Sequence, residues 1–272
     1  MDTFPSSPMH IALGRWGRPT GLARDGRGRR AIGSFLRYLR DLSPRHQQHW
    51  QTHLAFGRCK LENNYARRGL FGEWTEGVSV YEALLQELFH INKICQLIGL
   101  PLLFREDFSA NARSSEEEPK GFGLLLKTTK KAFLDFAHVL DKITSENINA
   151  DFFAVQGVEL DESTTKKGQI VVNRKGTIRL LEEWLTRKIR IKDQNGAARI
   201  VAPLKEIRRL RQGPAHKFVG DEFSLVYQTK KEQLILDLYI SISNIRMFFQ
   251  THPRAVGYTF PSYLKAENIV VF

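Results

Sequence analysis

A chain of 272 residues can bury a core as one large domain or two modest ones, without disulfide staples. Lys and Arg number 41 against 29 Asp and Glu, a formal charge of +12 that favours a polyanionic partner such as RNA, DNA or an acidic membrane surface. The two cysteines, Cys59 and Cys95, match no zinc or redox spacing. No apolar run approaches the ~20 residues that span a bilayer, and the opening MDTFPSSPMHIALGRWGRP lacks the pattern of a secretion signal. The expectation is a soluble, cytoplasmic protein with no disulfide framework and no membrane partner.

In chain order, residues 1–30 form a basic Gly/Arg-rich segment. Its stretch GRWGRPTGLARDGRGRR, from Gly14 to Arg30, is expected to hold little fixed structure. Residues 31–108 read as a helical N-terminal unit. Ile32, Phe35, Leu36 and Leu39 recur at helical spacing between Ala31 and Leu42. His46, His49 and His53 in RHQQHWQTH would share one helix face, but Trp50 follows His49 where a zinc-protease motif has Glu, so an ordinary polar face is expected and no metal. From Ser79 to Ile98 the residues Leu84, Leu85, Leu88, Ile91, Ile94, Cys95 and Ile98 predict a helix stopped by Gly99 and Pro101. The polar loop SANARSSEEEPKG, 109–121, is the expected boundary.

Residues 120–252 read as a helical bundle. Phe133, Phe136, Ala137, Leu140 and Ile143 give a face running to about Thr144; the next stretch reads as irregular chain with a possible hairpin. Helices are expected over Thr177 to Ile189, Ala197 to Arg211, and Asp221 to Gln250. Pro203 must sit in the first turns of the second or kink it. Phe133, Phe136, Trp184, Phe248 and Phe249 lie in helical stripes and are expected to be packing residues. The runs KTTKK, Lys166 with Lys167, and RKIRIK read as solvated basic faces able to guide an RNA backbone. Residues 253–272 form a C-terminal tail that adds a short strand or packs against a partner. The fold class is therefore mainly α.

The segment RRLRQGPAHKF, Arg208 to Phe218, carries the chemistry. Gly213 and Pro214 should end the preceding helix and let Arg211 and His216 converge, since in a continuous helix residues five apart diverge by about 140°. An imidazole titrates near neutrality and moves protons; a guanidinium matches phosphate oxygens and stays charged. Arg208, Arg209 and Lys217 would disfavour a protonated His216 and contact the RNA backbone, while the Gln212 amide orients phosphate or imidazole. The competing structural reading is a basic helix end favoured by the helix dipole.

Arg211-Gln212-Gly213-Pro214-Ala215-His216 resembles the R-x4-to-6-H motif of HEPN domains, small helical bundles of which many are metal-independent ribonucleases. The order PLKEIRRLRQGPAHKF followed by the last long helix fits that family, and FAHVLDKITSENINADFF with the helix around EEWL looks like its upstream part. The resemblance covers about Gly121 to His252. It implies catalytic Arg211, Gln212 and His216, with Arg209 an alternative motif arginine; RNA as substrate, cleaved by its own 2′-hydroxyl with no cofactor; and a homodimer with a composite site. It further implies a toxin or phage-defence role with an antitoxin or regulatory partner. The alternatives are a non-catalytic HEPN nucleotide- or RNA-binding module acting with a partner protein and, third, a DNA-binding regulator.

Overall fold

The computed structural model describes residues 2–5, 20–24, 30–34, 39–40, 42–53, 60–61, 78–106, 108, 122, 128–166, 169–188, 195–212, 221–265 and 268–270. Two compact units divide the chain, Met1–Gly77 and Val78–Val271. The second begins at Val78, so the 80–98 helix, assigned by sequence to an N-terminal unit ending at 108, belongs with the bundle. A helix this apolar needs a partner, and the long C-terminal helix supplies it.

The first unit holds strands β1 (Asp2–Pro5), β2 (Thr20–Arg24), β3 (Arg30–Ser34) and β4 (Lys60–Leu61), in the antiparallel order β1-β3-β2-β4, and helix α1 (Pro44–Thr52). Two expectations are corrected here. The helix read from Ala31 is a strand where it begins: Phe4 and Leu22 both face Ile32 across ladders that satisfy β3 on either side. Gly33 weakens a helix at this point, and ladder pairing outweighs a short apolar period. Thr20–Arg24 likewise gives the Gly/Arg-rich segment a strand. In α1, Ser43 caps the helix by accepting from the His46 amide at 3.4 Å.

The second unit is mainly helical. It contains β5 (Val78–Ser79), α2 (Val80–Ile98), α3 (Lys130–Ile143), α4 (Ala150–Val155), the hairpin β6 (Asp161–Lys166) and β7 (Gln169–Arg174), α5 (Thr177–Lys188), α6 (Gly196–Gln212), α7 (Val226–Gln250) and β8 (Ile269–Val270). Helix α7 packs against α2, α3 and α6; α6 also packs on α3 and α5. Ser79 accepts from the Glu82 amide at 3.1 Å to start α2. Gly99, in the left-handed region at φ +80°, ends it in a Schellman turn, with Leu100 donating to the Cys95 carbonyl at 2.9 Å.

The core joins Leu84, Leu88, Ile91, Phe136, Leu140, Leu181, Leu204, Ile207, Leu238 and Ile242, all essentially inaccessible. Phe152 and Phe153 of α4 are fully buried, and Trp184 stacks on Phe249 at 5.4 Å between ring centres. The stretch expected to be irregular after Thr144 thus holds a six-residue helix, anchored by its phenylalanines, as well as the hairpin. Pro203 lies in the interior of α6, eight residues in, where its ring denies the helix one amide; the Ser241 hydroxyl donates to the Ile200 carbonyl nearby at 2.5 Å. The C-terminal segment is part of the unit, because β8 pairs in parallel with β5.

Among the described residues no helix is long and apolar enough to cross a membrane, and no group of three or more His, Cys, Asp or Glu is placed to hold a metal ion.

Candidate nucleic-acid interface

The basic segment that ends α6 is held from below by one carboxylate. On α6, Arg208 and Arg211 are three residues apart and so share a face, toward α3. There the fully buried Asp141 accepts from both: Arg208 Nε reaches Oδ1 at 2.9 Å and Arg211 Nη1 reaches Oδ2 at 2.6 Å. Arg211 Nη1 also pairs with Glu146, in the turn after α3. Both arginine side chains remain 29% exposed, so the cluster sits at the rim of the bundle rather than inside it. The hydrogen bond to Asp141, then that to Glu146, holds the Arg211 guanidinium protonated even more firmly than usual. Its Nε and Nη2 make no hydrogen bond to another described residue.

Arg209 faces the other way. It forms a two-pronged pair with Glu206, at 2.7 and 2.6 Å, on a side chain that is 72% exposed; the same hydrogen bond lowers the Glu206 carboxyl below its ordinary range. Gln212 is exposed at the last position of α6. His216 and Lys217 lie outside the described residues, as does the rest of 213–220. The chain is described again from Asp221, whose carboxylate accepts from the Lys131 amide at 3.3 Å at the start of α3, with Lys130 donating to the Glu222 carbonyl at 2.8 Å. The structure therefore gathers Arg208 and Arg211, and turns Arg209 away from them.

Sequence reading missed the partners that organise this end. Asp141 was detectable: it follows Phe133 and Ala137 at four-residue steps, so a charged residue stands in core phase on α3. Such a position is sustained only by cations opposite. Glu146, Arg105, Arg174 and Lys175 carry no comparable signal, because three different loops bring them together.

Those loops frame a groove of about 620 Å³ beside Arg208, lined among others by Arg105, Glu146, Arg174, Lys175 and Thr177. Its walls are tied by hydrogen bonds. Asn92 both donates to the Phe104 carbonyl at 2.8 Å and accepts its amide at 3.0 Å. Asn147 treats Glu106 in the same two-way manner, at 2.7 and 2.9 Å. Asn149 donates to the Leu102 carbonyl at 3.2 Å. Elsewhere in the lining the Lys175 amide donates to the Leu160 carbonyl at 2.8 Å, and the Thr177 hydroxyl to the Ser145 carbonyl at 2.6 Å.

A second ionic cluster lies between α2 and α7. Arg246 Nε donates to the fully buried Glu87 at 2.5 Å, Nη1 to Gln250 at 2.5 Å and Nη2 to Ser243 at 3.3 Å. The guanidinium also lies over the Phe260 ring, 3.6 Å from its centre. Burial pushes the Glu87 carboxyl up against the pull of Arg246. His90 is hydrogen-bonded to Tyr258 and packs on Phe260; burial first, and then the Arg246 charge, lower its imidazole to about 4. With each guanidinium nitrogen of Arg246 engaged and the arginine 8% exposed, this cluster presents no exposed cation to a ligand.

In α1, His46 is hydrogen-bonded to Ser43 at 2.8 Å while His49 and His53 meet edge to face, 4.8 Å between centres. His49 and His53 are thus each other's neighbours, while His46 is bonded to the residue that caps the helix. Comparison with family models, curated proteins and solved structures finds no match to this chain.

Proposed function

We propose that the helical unit is a HEPN-type, metal-independent endoribonuclease in which Arg211 and His216 act on one RNA phosphate. The observation that carries this reading is the position of Arg211. It stands in the last turn of α6, one residue before the helix ends at Gln212, with Nη1 fixed by Asp141 and Glu146 and with Nε and Nη2 unbonded among the described residues. A guanidinium oriented in advance stabilises charge gathering on phosphate oxygens without reorganising during the reaction.

His216, five residues along the chain, takes the proton of the 2′-hydroxyl. The 2′-oxygen bonds to phosphorus, the bond from phosphorus to the 5′-oxygen breaks, and the departing oxygen is protonated, leaving a 2′,3′-cyclic phosphate and a 5′-hydroxyl. Arg211 is favoured over Arg209 as the motif arginine, because Arg209 is turned toward Glu206. A homodimer with the two motifs in one cleft belongs to the same proposal, as do an antitoxin or regulatory partner and a role in defence.

One observation favours a second reading, a non-catalytic RNA- or nucleotide-binding module: two carboxylates already offset the charge of Arg211. Incubation of the purified protein with RNA in excess chelator separates the two. Cyclic-phosphate and 5′-hydroxyl ends are expected, lost in His216→Ala and Arg211→Ala with helical circular dichroism retained. Binding without cut ends would select the module, and cleavage surviving in either folded variant would overturn the catalytic assignment.

A further inference from the structure

The groove beside Arg208 is lined by four cations, of which two are paired within the fold. Lys175 is paired with Glu183 at 2.8 Å, and Arg208 with Asp141. Arg105 and Arg174, both exposed, line the same groove and have no hydrogen-bond or ion-pair partner for their side chains among the described residues. Glu146, the carboxylate of the lining, is engaged with Arg211. Two guanidiniums unpaired among the described residues therefore line one recess together with Arg208. Like charges that line one recess repel, and an anion between them relieves that repulsion.

The backbone beneath them is fixed. Arg105 is carried on the 102–106 segment, which Asn92, Asn147 and Asn149 tie down through side-chain amides, and its own amide donates to the Asn147 carbonyl at 2.8 Å. Arg174 ends β7 immediately before Lys175, whose amide is bonded to Leu160. Long flexible side chains on a rigid frame suit successive phosphates of a bending strand, where a guanidinium pairs with two oxygens at once. At about 620 Å³ the recess falls in the range of small-ligand pockets, roughly 300–1,000 Å³. An adjoining recess of about 430 Å³ shares Arg105 and Glu146 and adds the half-buried Phe108, a ring on which an unstacked base can lie.

We propose that this groove, through Arg105, Arg174 and Arg208, binds the internal phosphodiesters of single-stranded RNA and leads the strand to Arg211. The inference rests on RNA being the ligand of the bundle, as read above. It assigns substrate contacts to Arg105 and Arg174, which stand 106 and 37 residues before Arg211.

The test uses a 12-nucleotide 2′-O-methyl RNA, which lacks the attacking hydroxyl and stays intact, with binding followed by fluorescence anisotropy over a salt series. Arg105→Gln/Arg174→Gln is expected to weaken binding at least tenfold. It should also reduce the magnitude of the slope of log K against log salt by about 1.4, the value for two single-strand phosphate contacts. Lys93→Gln, on an exposed part of α2, should leave both unchanged. Wild-type affinity and slope in the double variant, alongside cleavage of ordinary RNA by the parent protein, would overturn the groove and leave the nuclease standing. The expected slope change with no cut ends from ordinary RNA would retain the groove and remove the nuclease. Absence of RNA binding by the parent protein would overturn both. Binding that requires a 5′-phosphate on the oligonucleotide would overturn the assignment to internal phosphodiesters.

Discussion

The bundle solves the same electrostatic problem twice, with opposite results. At the α2–α7 contact, Glu87 and Arg246 are both buried, each guanidinium nitrogen has a partner and an aromatic ring lies against the guanidinium face. At the α3–α6 contact, only the carboxylate of Asp141 is buried; Arg208 and Arg211 reach past it to the surface. A sealed pair acts on stability, because neither charge can be solvated when the other is lost. A rim cluster leaves part of each arginine available to an anion from solution. Burial of the cation, more than the presence of an ion pair, separates a structural arginine from one that can serve a ligand.

The largest effect expected from that contrast is at the sealed site. Arg246→Ala strands the Glu87 carboxylate in the core and should lower the unfolding free energy by about 3–5 kcal/mol, read as a fall in the urea midpoint at constant slope. A loss small enough to match a surface substitution would show that water reaches Glu87.

Next comes acid. His90 binds its proton at about 4 in the folded protein against an ordinary 6.5, so between those values the unfolded chain takes up the proton preferentially. The stabilisation is therefore complete above about pH 6.5 and declines as pH falls toward 4. From the size of the shift it amounts to about 3 kcal/mol. Glu87, whose carboxyl burial pushes up, acts in the opposite sense, its contribution weakening as pH rises. The His90 share is thus the difference between the stability curves of the parent and His90→Phe, and parallel curves between pH 4 and 6.5 would refute it.

The smallest effect belongs to the rim. Asp141→Asn leaves Arg208 and Arg211 partly solvated and should cost about 1–3 kcal/mol, less than Arg246→Ala, without reducing RNA affinity. An equal cost at the two sites would abolish the distinction between them.

Apolar periodicity made α2, α3, α5, α6 and α7 legible, because each buries one face and the stripe of that face is written at three- and four-residue steps. It could not reveal α4, whose six residues are too few for a period and whose helix rests on Phe152 and Phe153 being buried. It misread β3, where long-range ladder bonds decide the backbone. At the candidate site, the bunching of arginine before Gly213 was plain, but its division was not. Only three-dimensional phase shows Arg208 and Arg211 turned to Asp141 while Arg209 turns to Glu206. Arg105 and Arg174 were invisible for a different reason: two isolated arginines, one in the 102–106 segment and one ending β7, have no spacing to read.

The frame of asparagine amides beneath the groove has a bearing on how its ligand can be identified. Asn92, Asn147 and Asn149 carry no ionisable proton, so the tethers that hold the 102–106 segment are the same on both sides of neutrality. The charge of a phosphodiester is equally constant there, whereas a terminal phosphate gains its second charge near pH 6. A change of binding around pH 6 then comes from a terminal phosphate on the ligand or from the His216 imidazole, and a ligand of internal phosphodiesters tested on His216→Ala should bind the groove alike on both sides of that pH.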